Sequence, residues 1–348
     1  MTPAPPVAGR RSAGAVLLAI LAVLVISAGA GLAFGALELE PRQLLQALLA
    51  GPDEGGSLEQ TVVWQLRLPR ILVGCFVGAA LALAGVLLQG LFRNELAAPG
   101  VVGTSAGAAL GAVCTLAVGL ADRFPLLLPL GAMLGALLSL QIVARIARHD
   151  GRTSITDLLL AGVALNAFLS AVNSLLIARS WANFEVARRI NFWLMGGITD
   201  REWLHVALVV PGLAIGLAMA LWFGRDLDLL LHGEDLAEAS GVHVEQLKRW
   251  LLLVVSLLVG SAVAVSGVVG FVGLVIPHLI RLLIGPNHRP LIVLSAAAGG
   301  AFVLLADLVA RMAVRPAELQ LGIVTAFVGA PFFVLLLVRQ RRRREVPT

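Results

Sequence analysis

This chain cannot fold as an ordinary water-soluble domain, because apolar stretches long enough to cross a lipid bilayer recur along nearly its whole length. They lie at residues 13–35, 69–92, 100–120, 125–147, 156–178, 203–223, 249–267, 269–284, 290–312 and 320–339. Lipid offers no partner for a free backbone amide or carbonyl, so each stretch is expected to be helical. Composition agrees: 59% of the 348 residues are hydrophobic and only 14% are charged, against about 25% charged in a soluble domain. The expected fold class is an all-α integral membrane bundle of ten helices.

An even number of spans places both termini on one side. If that side is cytoplasmic, 16 of the 26 basic residues fall there, including Arg93, Arg145, Arg148, Arg152, Arg281, Arg289 and the run Arg341 to Arg344. This follows the positive-inside rule. The expected organisation is a disordered cytoplasmic segment 1–12, a ten-helix domain 13–340 with a cytoplasmic loop at 224–248, and a basic cytoplasmic tail 341–348. A cleaved leader is the alternative for the first span; its apolar run is too long for a typical leader core, and a retained helix is expected. The pI near 10.7 then reports membrane topology and lipid contact, with no nucleic acid partner implied. Cys75 and Cys114 fall in apolar stretches without metal-ligand spacing, so neither a disulfide, a metal nor a cofactor is expected. Lys248 is the single lysine, and no glycine-rich phosphate loop precedes it. Any ATP-driven step therefore needs a partner.

Some polar features are out of place in a scaffold. Residues 270–289, GFVGLVIPHLIRLLIGPNHR, bring Pro277, His278 and Arg281 to membrane depth. Broken helices of this kind survive only where protein or a water-filled cavity satisfies the backbone, which points to transport. Residues 76–86 match 258–268, and 138–145 resemble 304–311, with the paired segments running in opposite directions. Such an inverted internal repeat is typical of transporters. Glycines at 103, 107 and 111, at 74 and 78, and at 131 and 135 are read as close-packing faces. Arg67 and Arg70 in R-L-P-R, with Arg311, form either an interfacial snorkelling set or a basic outer patch for an acidic partner. The turn at 89–108 contains Asn94 and Pro99. The loop 224–248 reads as two short helices split by Gly233 and ended by Gly241, with Glu234 and Asp235 early and Leu236 and Ala237 as an apolar face. Asn166, Ser170, Asn173 and Ser174 make one polar stripe, either pathway or hydrogen-bonding glue. Asp307 is expected to pair with Arg311 one turn away.

Taken together, R-L-P-R, F-R-N-E-L-A-A-P-G-V-V-G, L-L-L-A-G-V-A-L (158–165), F-W-L-M-G-G (192–197), G-E-D-L-A-E-A-S-G-V, F-V-G-L-V-I-P-H-L-I-R and A-E-L-Q-L-G-I-V-T-A-F-V-G-A-P-F-F (317–333) resemble the FecCD-type permeases. These are membrane subunits of ABC importers for ferric siderophores, haem and cobalamin. The resemblance runs from about residue 60 to 340 and implies a type II importer permease fold. It implies a homodimer with the pathway on its axis, in a bacterial inner membrane. It also implies two cytoplasmic ABC ATPase subunits docked on the loop carrying Gly233, Glu234, Asp235, Leu236, Ala237 and Gly241. An extracytoplasmic binding protein is implied, whose glutamates meet Arg67, Arg70 and Arg311. Asn94, Leu96 and Thr156 match positions near the cytoplasmic gate. Two positions depart from the pattern: Glu95 replaces the usual proline of Asn-Pro-Leu, and Gln320 that of Glu-Leu-Pro. The expected cargo is an iron chelate, with haem or cobalamin as alternatives of the same family and an ion-coupled secondary transporter as the rival class. Pro277, His278 and Arg281 are then expected in gating and coupling machinery, with His278 packed rather than ligating cargo.

Overall fold

The structure, a computed structural model, describes residues 12–344 except positions 36, 38, 54, 55, 150, 181, 182 and 316, and omits the side chains at 336, 337 and 339–344. The expected disordered segment 1–12, apart from Ser12, and the side chains of the expected basic tail lie outside the described residues. Among the described residues, ten helices account for the ten apolar stretches. They are α1 Ala13–Ala33, α2 Leu58–Phe92, α3 Thr104–Ala117, α4 Leu127–Ile146, α5 Ile155–Ser180, α6 Trp203–Trp222, α7 Val244–Ser266, α8 Val272–Ile284, α9 His288–Met312 and α10 Leu321–Arg344. Short helices cover the ends: Pro41–Ala50, Leu120–Arg123 and Phe184–Leu194 at one, Gly224–Leu230 and Glu234–Ala239 at the other. The end where α1 begins and α10 finishes is the terminal end; the opposite one is the far end.

Three helix starts differ from the expected spans by four residues or more. The second span begins at Leu58, eleven residues before 69, so R-L-P-R lies inside a continuous 35-residue helix. Pro69 has no N–H to give, and a π turn at Val62–Arg67, closed by the Leu68 amide on the Val63 carbonyl, carries the helix through it. The third span starts late, because Pro99 opens a 3₁₀ turn at Pro99–Val102 and Gly103, at φ 88°, redirects the chain before α3. Gly103 is therefore a turn residue, not part of the packing face with Gly107 and Gly111. The seventh span starts early, at Val244, so the loop expected at 224–248 ends before Lys248.

α3 and α8 have only 14 and 13 residues, about 20 Å each at 1.5 Å per residue, against a hydrocarbon core of about 30 Å. Irregular chain completes both crossings, at 93–103 before α3 and at 267–271 before α8, where Phe271 is left-handed at φ 65°. The break before α3 falls at Pro99 and Gly103, as expected; the break before α8 falls at 267–271, and Pro277 lies inside the continuous α8.

α2 is the centre of the molecule. From Val77 to Phe92 every residue is buried, with α6, α7, α8 and α9 packed around it. Glycines set the crossings: a Cβ on Gly78 would overlap the Gly299 carbonyl of α9, and one on Gly85 would overlap the Gly273 carbonyl of α8. Gly107 meets Gly135, and Gly111 meets Gly131, where α3 crosses α4. Lipid supplies little hydrophobic drive for helix association, so such close backbone contact contributes much of the cohesion. α1, α5 and α6 instead expose large apolar side chains such as Leu18, Ile26, Phe168 and Trp222.

Candidate functional site

At the far end, the three arginines of the expected basic patch are buried or nearly so and already partnered. Arg67 is 6% exposed and donates to the carbonyls of Leu32 and Ala33 at the end of α1 and of Leu37 beyond it. Arg70 donates through Nη2 to Asp307 Oδ1 at 2.7 Å and to Glu318 Oε2 at 2.9 Å. Arg311 lies 3.1 Å from Asp307 Oδ2 and donates to the carbonyls of Gly31 and Phe34. The expected Asp307–Arg311 pair is present, and Arg70 joins it from 237 residues away. The three cations thus brace the junction of α1, α2 and α9; they do not make one open patch of free guanidinium groups. Glu318, which also accepts from Thr199 Oγ1 at 3.2 Å, is the most exposed carboxylate of the group. Burial acts to raise its pKa, and the hydrogen bonds and charge of Arg70 outweigh this and hold it below the ordinary range. Beside it opens a cavity of about 660 Å³ lined in part by Trp193, Thr199, Asp200, Arg201 and Gln320. Burial lowers the Arg201 pKa.

At the terminal end, the turn after α2 is built by Arg93 at φ 48° and by Asn94, whose Oδ1 accepts from the Leu96 amide at 2.9 Å. Glu95 faces α8: its Oε2 is 3.1 Å from His278 Nδ1 and its Oε1 is 3.8 Å from Arg281. His278, 3% exposed, is packed edge-on against Phe332 of α10. Arg281 also donates to Gln89 Oε1 at 3.0 Å, and Gln89 Nε2 lies 3.3 Å from the Leu274 carbonyl. Glu95, which departs from the family pattern, is therefore tied to α8, the short helix that carries Pro277. Its carboxyl is held below the usual range, first by His278 and then, against burial, by Arg281. Thr156 sits exposed in the first turn of α5.

The expected two-helix knob forms. Gly233 (φ 120°) and Gly241 (φ 88°) adopt conformations that favour glycine and bound Glu234–Ala239. Asp235, Leu236 and Gly241 are exposed, but Ala237 turns inward and is fully buried, so the anticipated Leu236–Ala237 face is split. Two attachments escaped the sequence reading. Asp228 Oδ1 accepts from both the amide and Nδ1 of His288, at 2.8 and 2.7 Å, fixing the knob to the start of α9. Burial raises the Asp228 pKa, but His288 and Arg289 more than offset it and the carboxyl sits low. Lys248, buried in α7, reaches Glu234. Its one sequence signal was being the lone lysine among arginines.

The polar stripe of α5 divides. Asn166 donates to the Gly100 carbonyl at 2.7 Å and so holds the 3₁₀ turn, and Asn173 is buried. Ser170 and Ser174 are exposed, the Ser174 hydroxyl bonded to its own helix at the Ser170 carbonyl.

A ten-helix membrane bundle with broken central helices, a braced far end and an exposed two-helix knob is the architecture of an importer permease. The chain belongs to the FecCD transport family, which it matches over residues 17–339. It is 42% identical over 312 residues to a cobalamin import system permease of Halobacterium salinarum, covering 88% of this chain and 80% of that one. It is also 42% identical to the hemin transport system permease of Yersinia pestis, covering 81% and 85%. A solved inward-facing structure of a metal-chelate type ABC transporter superposes with a TM-score of 0.83 at 33% identity, covering 94% of this chain and 99% of that one. The protein is thus a multi-pass ABC importer permease, not itself an enzyme, and works with ATPase and binding-protein partners.

Proposed function

We propose that this chain is the permease of an importer that carries an iron chelate across a bacterial inner membrane, driven by ATP hydrolysed on partner subunits. The terminal end faces the cytoplasm, in keeping with the basic residues gathered there. Two copies pair about the pathway, and an ATPase docks on each knob at Gly233, Glu234, Asp235, Leu236, Ala237 and Gly241. The observation that carries this reading is the knob itself, which presents an exposed apolar residue, Leu236 at 52%, beside acids on a rim braced by buried pairs. Asn94, Leu96 and Thr156 serve as the cytoplasmic gate, with Asn166, Ser170 and Asn173 along the pathway. The binding protein docks at the far end, where its acidic group exchanges with Glu318 at Arg70 while Arg67 and Arg311 hold the rim. The metal-chelate type transporter of similar structure supports a metal chelate as cargo, of which an iron chelate is the proposed case; the cobalamin and hemin relatives keep those cargoes as alternatives. Asp307 is tied up between the Arg70 and Arg311 guanidinium groups as part of the brace, which argues against a proton-coupled carrier. The test is uptake into proteoliposomes holding the permease, its ATPase and its binding protein, with ferric siderophores, haem and cobalamin compared. Uptake of a ferric siderophore that requires hydrolysable nucleotide is expected; uptake without nucleotide would overturn the class, and preference for haem or cobalamin the cargo.

A further inference from the structure

Lys248 is 3% exposed, and its ammonium is fully engaged. It donates to the Thr153 carbonyl at 2.9 Å, to Glu234 Oε2 at 2.8 Å and to Glu245 Oε1 at 2.9 Å. An ammonium has three donors, so none is left over. Glu245 closes the ring by accepting through Oε2 from the Thr153 amide and hydroxyl, at 3.0 and 2.9 Å. Three separate elements meet at this one nitrogen: the knob helix Glu234–Ala239, the first turn of α7, and the hairpin Arg148–His149 and Arg152–Thr153. The hairpin leads directly into α5, which starts at Ile155 and carries Thr156 in its first turn. A cavity of about 370 Å³ lined by Arg93, Arg152, Ile155, Glu234 and Lys248 places the turn after α2 beside the same node.

We propose that Lys248 is the positioning residue that couples the ATPase-facing helix to the gate at the start of α5. This rests on the docking of the ATPase on the knob, as proposed above. α7 is the fixed member, since Leu247 and Leu251 are buried in the core. If the ATPase displaces Glu234, the ammonium either follows and draws Thr153 with it, or stays and leaves a buried charge short of a partner. The second course leaves a buried ammonium proton without an acceptor and Glu245 as its remaining counter-ion, which is unfavourable, so the displacement passes to the hairpin and into α5. The chemistry also accounts for the lone lysine. A compact ammonium on a flexible stem meets acceptors from three directions, whereas a planar guanidinium cannot wrap them.

The test uses the reconstituted importer with its ATPase and binding protein, and reads uptake per ATP hydrolysed. Lys248→Met is expected to lower that ratio at least tenfold, with hydrolysis continuing. Lys248→Arg keeps the charge but cannot meet all three acceptors with a planar guanidinium, and is expected to lower the ratio by about threefold. It also serves as the deciding variant if Lys248→Met does not assemble. A proportional fall of uptake and hydrolysis, or an unchanged ratio in an importer whose wild-type uptake is ATP-driven, overturns the assignment. Nucleotide-independent wild-type uptake would instead overturn the importer reading on which it rests.

Discussion

Asp307 shows how a buried acid is tolerated in an apolar helix. It is 3% exposed, and Arg70 and Arg311 both neutralise it. Removing one member of a buried ion pair typically costs about 3–5 kcal/mol, because the remaining charge is stranded. Asp307→Asn is therefore expected to lower the thermal midpoint of the purified permease markedly, with uptake falling only as folded protein falls. Loss of uptake at unchanged stability would contradict this structural role. The Asp307–Arg311 half was legible from sequence, since residues four apart share a helix face. Arg70 was not, because no local pattern joins residues so far apart. Glu318 gives a pH signature on the same cluster. Its folded pKa is depressed, so its stabilising contribution is full above the ordinary carboxylate pKa and is lost as pH falls through the folded value. The difference in thermal midpoint between wild type and Glu318→Gln should hold steady from pH 7 to about 5, then shrink on acidification below about 4.5. A gap that widens on acidification would contradict the assignment.

At the scale of elements, packing and turns decide what residues cannot. The Gly85 approach to Gly273 leaves no room for a side chain, so Gly85→Val is expected to prevent assembly, seen as loss of monodisperse protein on detergent extraction. A normal yield would show that α2 and α8 can separate. The turn at 93–98 is held more lightly. Glu95 is half exposed to solvent, so its contacts with His278 and Arg281 are worth about 1 kcal/mol or less. Glu95→Ala should speed amide exchange at Leu96 and Ala97 by up to about fivefold; unchanged exchange would mean the turn does not depend on α8. Helix number and order were legible in the apolar pattern. Helix starts at Leu58, Thr104 and Val244 were less so. A π turn and a left-handed glycine shift a boundary without changing hydropathy, and the polar first turn of α7 hides a helix start ahead of the apolar stretch. The knob was legible because its glycines adopt backbone conformations that other residues rarely take. Its attachments at Asp228 and Lys248 arise from tertiary contact and left no periodic trace.

For the whole molecule, the two ends differ in how they can respond to partners. The terminal end carries the knob and gate turn on paired side chains, while the far end is braced by Arg67 and Arg311, whose donors go largely to backbone carbonyls. Sequence motifs placed the arginines at the far end correctly but could not distinguish a free guanidinium from one already satisfied, since burial is a property of the assembled bundle. This changes the form a docking test must take. Charge reversal at Arg67 or Arg311 would disturb the brace and confound docking with folding. Glu318 offers the cleaner probe, because its contact with Arg70 is the outermost of the cluster, with the Glu318 side chain 37% exposed. Arg70 also holds Asp307, so its variant is compared at equal folded fraction. If a binding-protein carboxylate exchanges with Glu318 at Arg70, then Glu318→Gln removes a competitor and Arg70→Gln removes the receptor. The first variant should bind the binding protein more tightly, by up to about fivefold for an exposed pair worth about 1 kcal/mol or less. The second should bind more weakly and with a reduced dependence on salt, because screening acts on the pair that has been deleted. Titrations of binding protein against the complex in lipid nanodiscs, at two ionic strengths, read both quantities. Equal affinities for wild type and both variants would place the docking contacts elsewhere on the far rim and leave Arg70 with a purely bracing role.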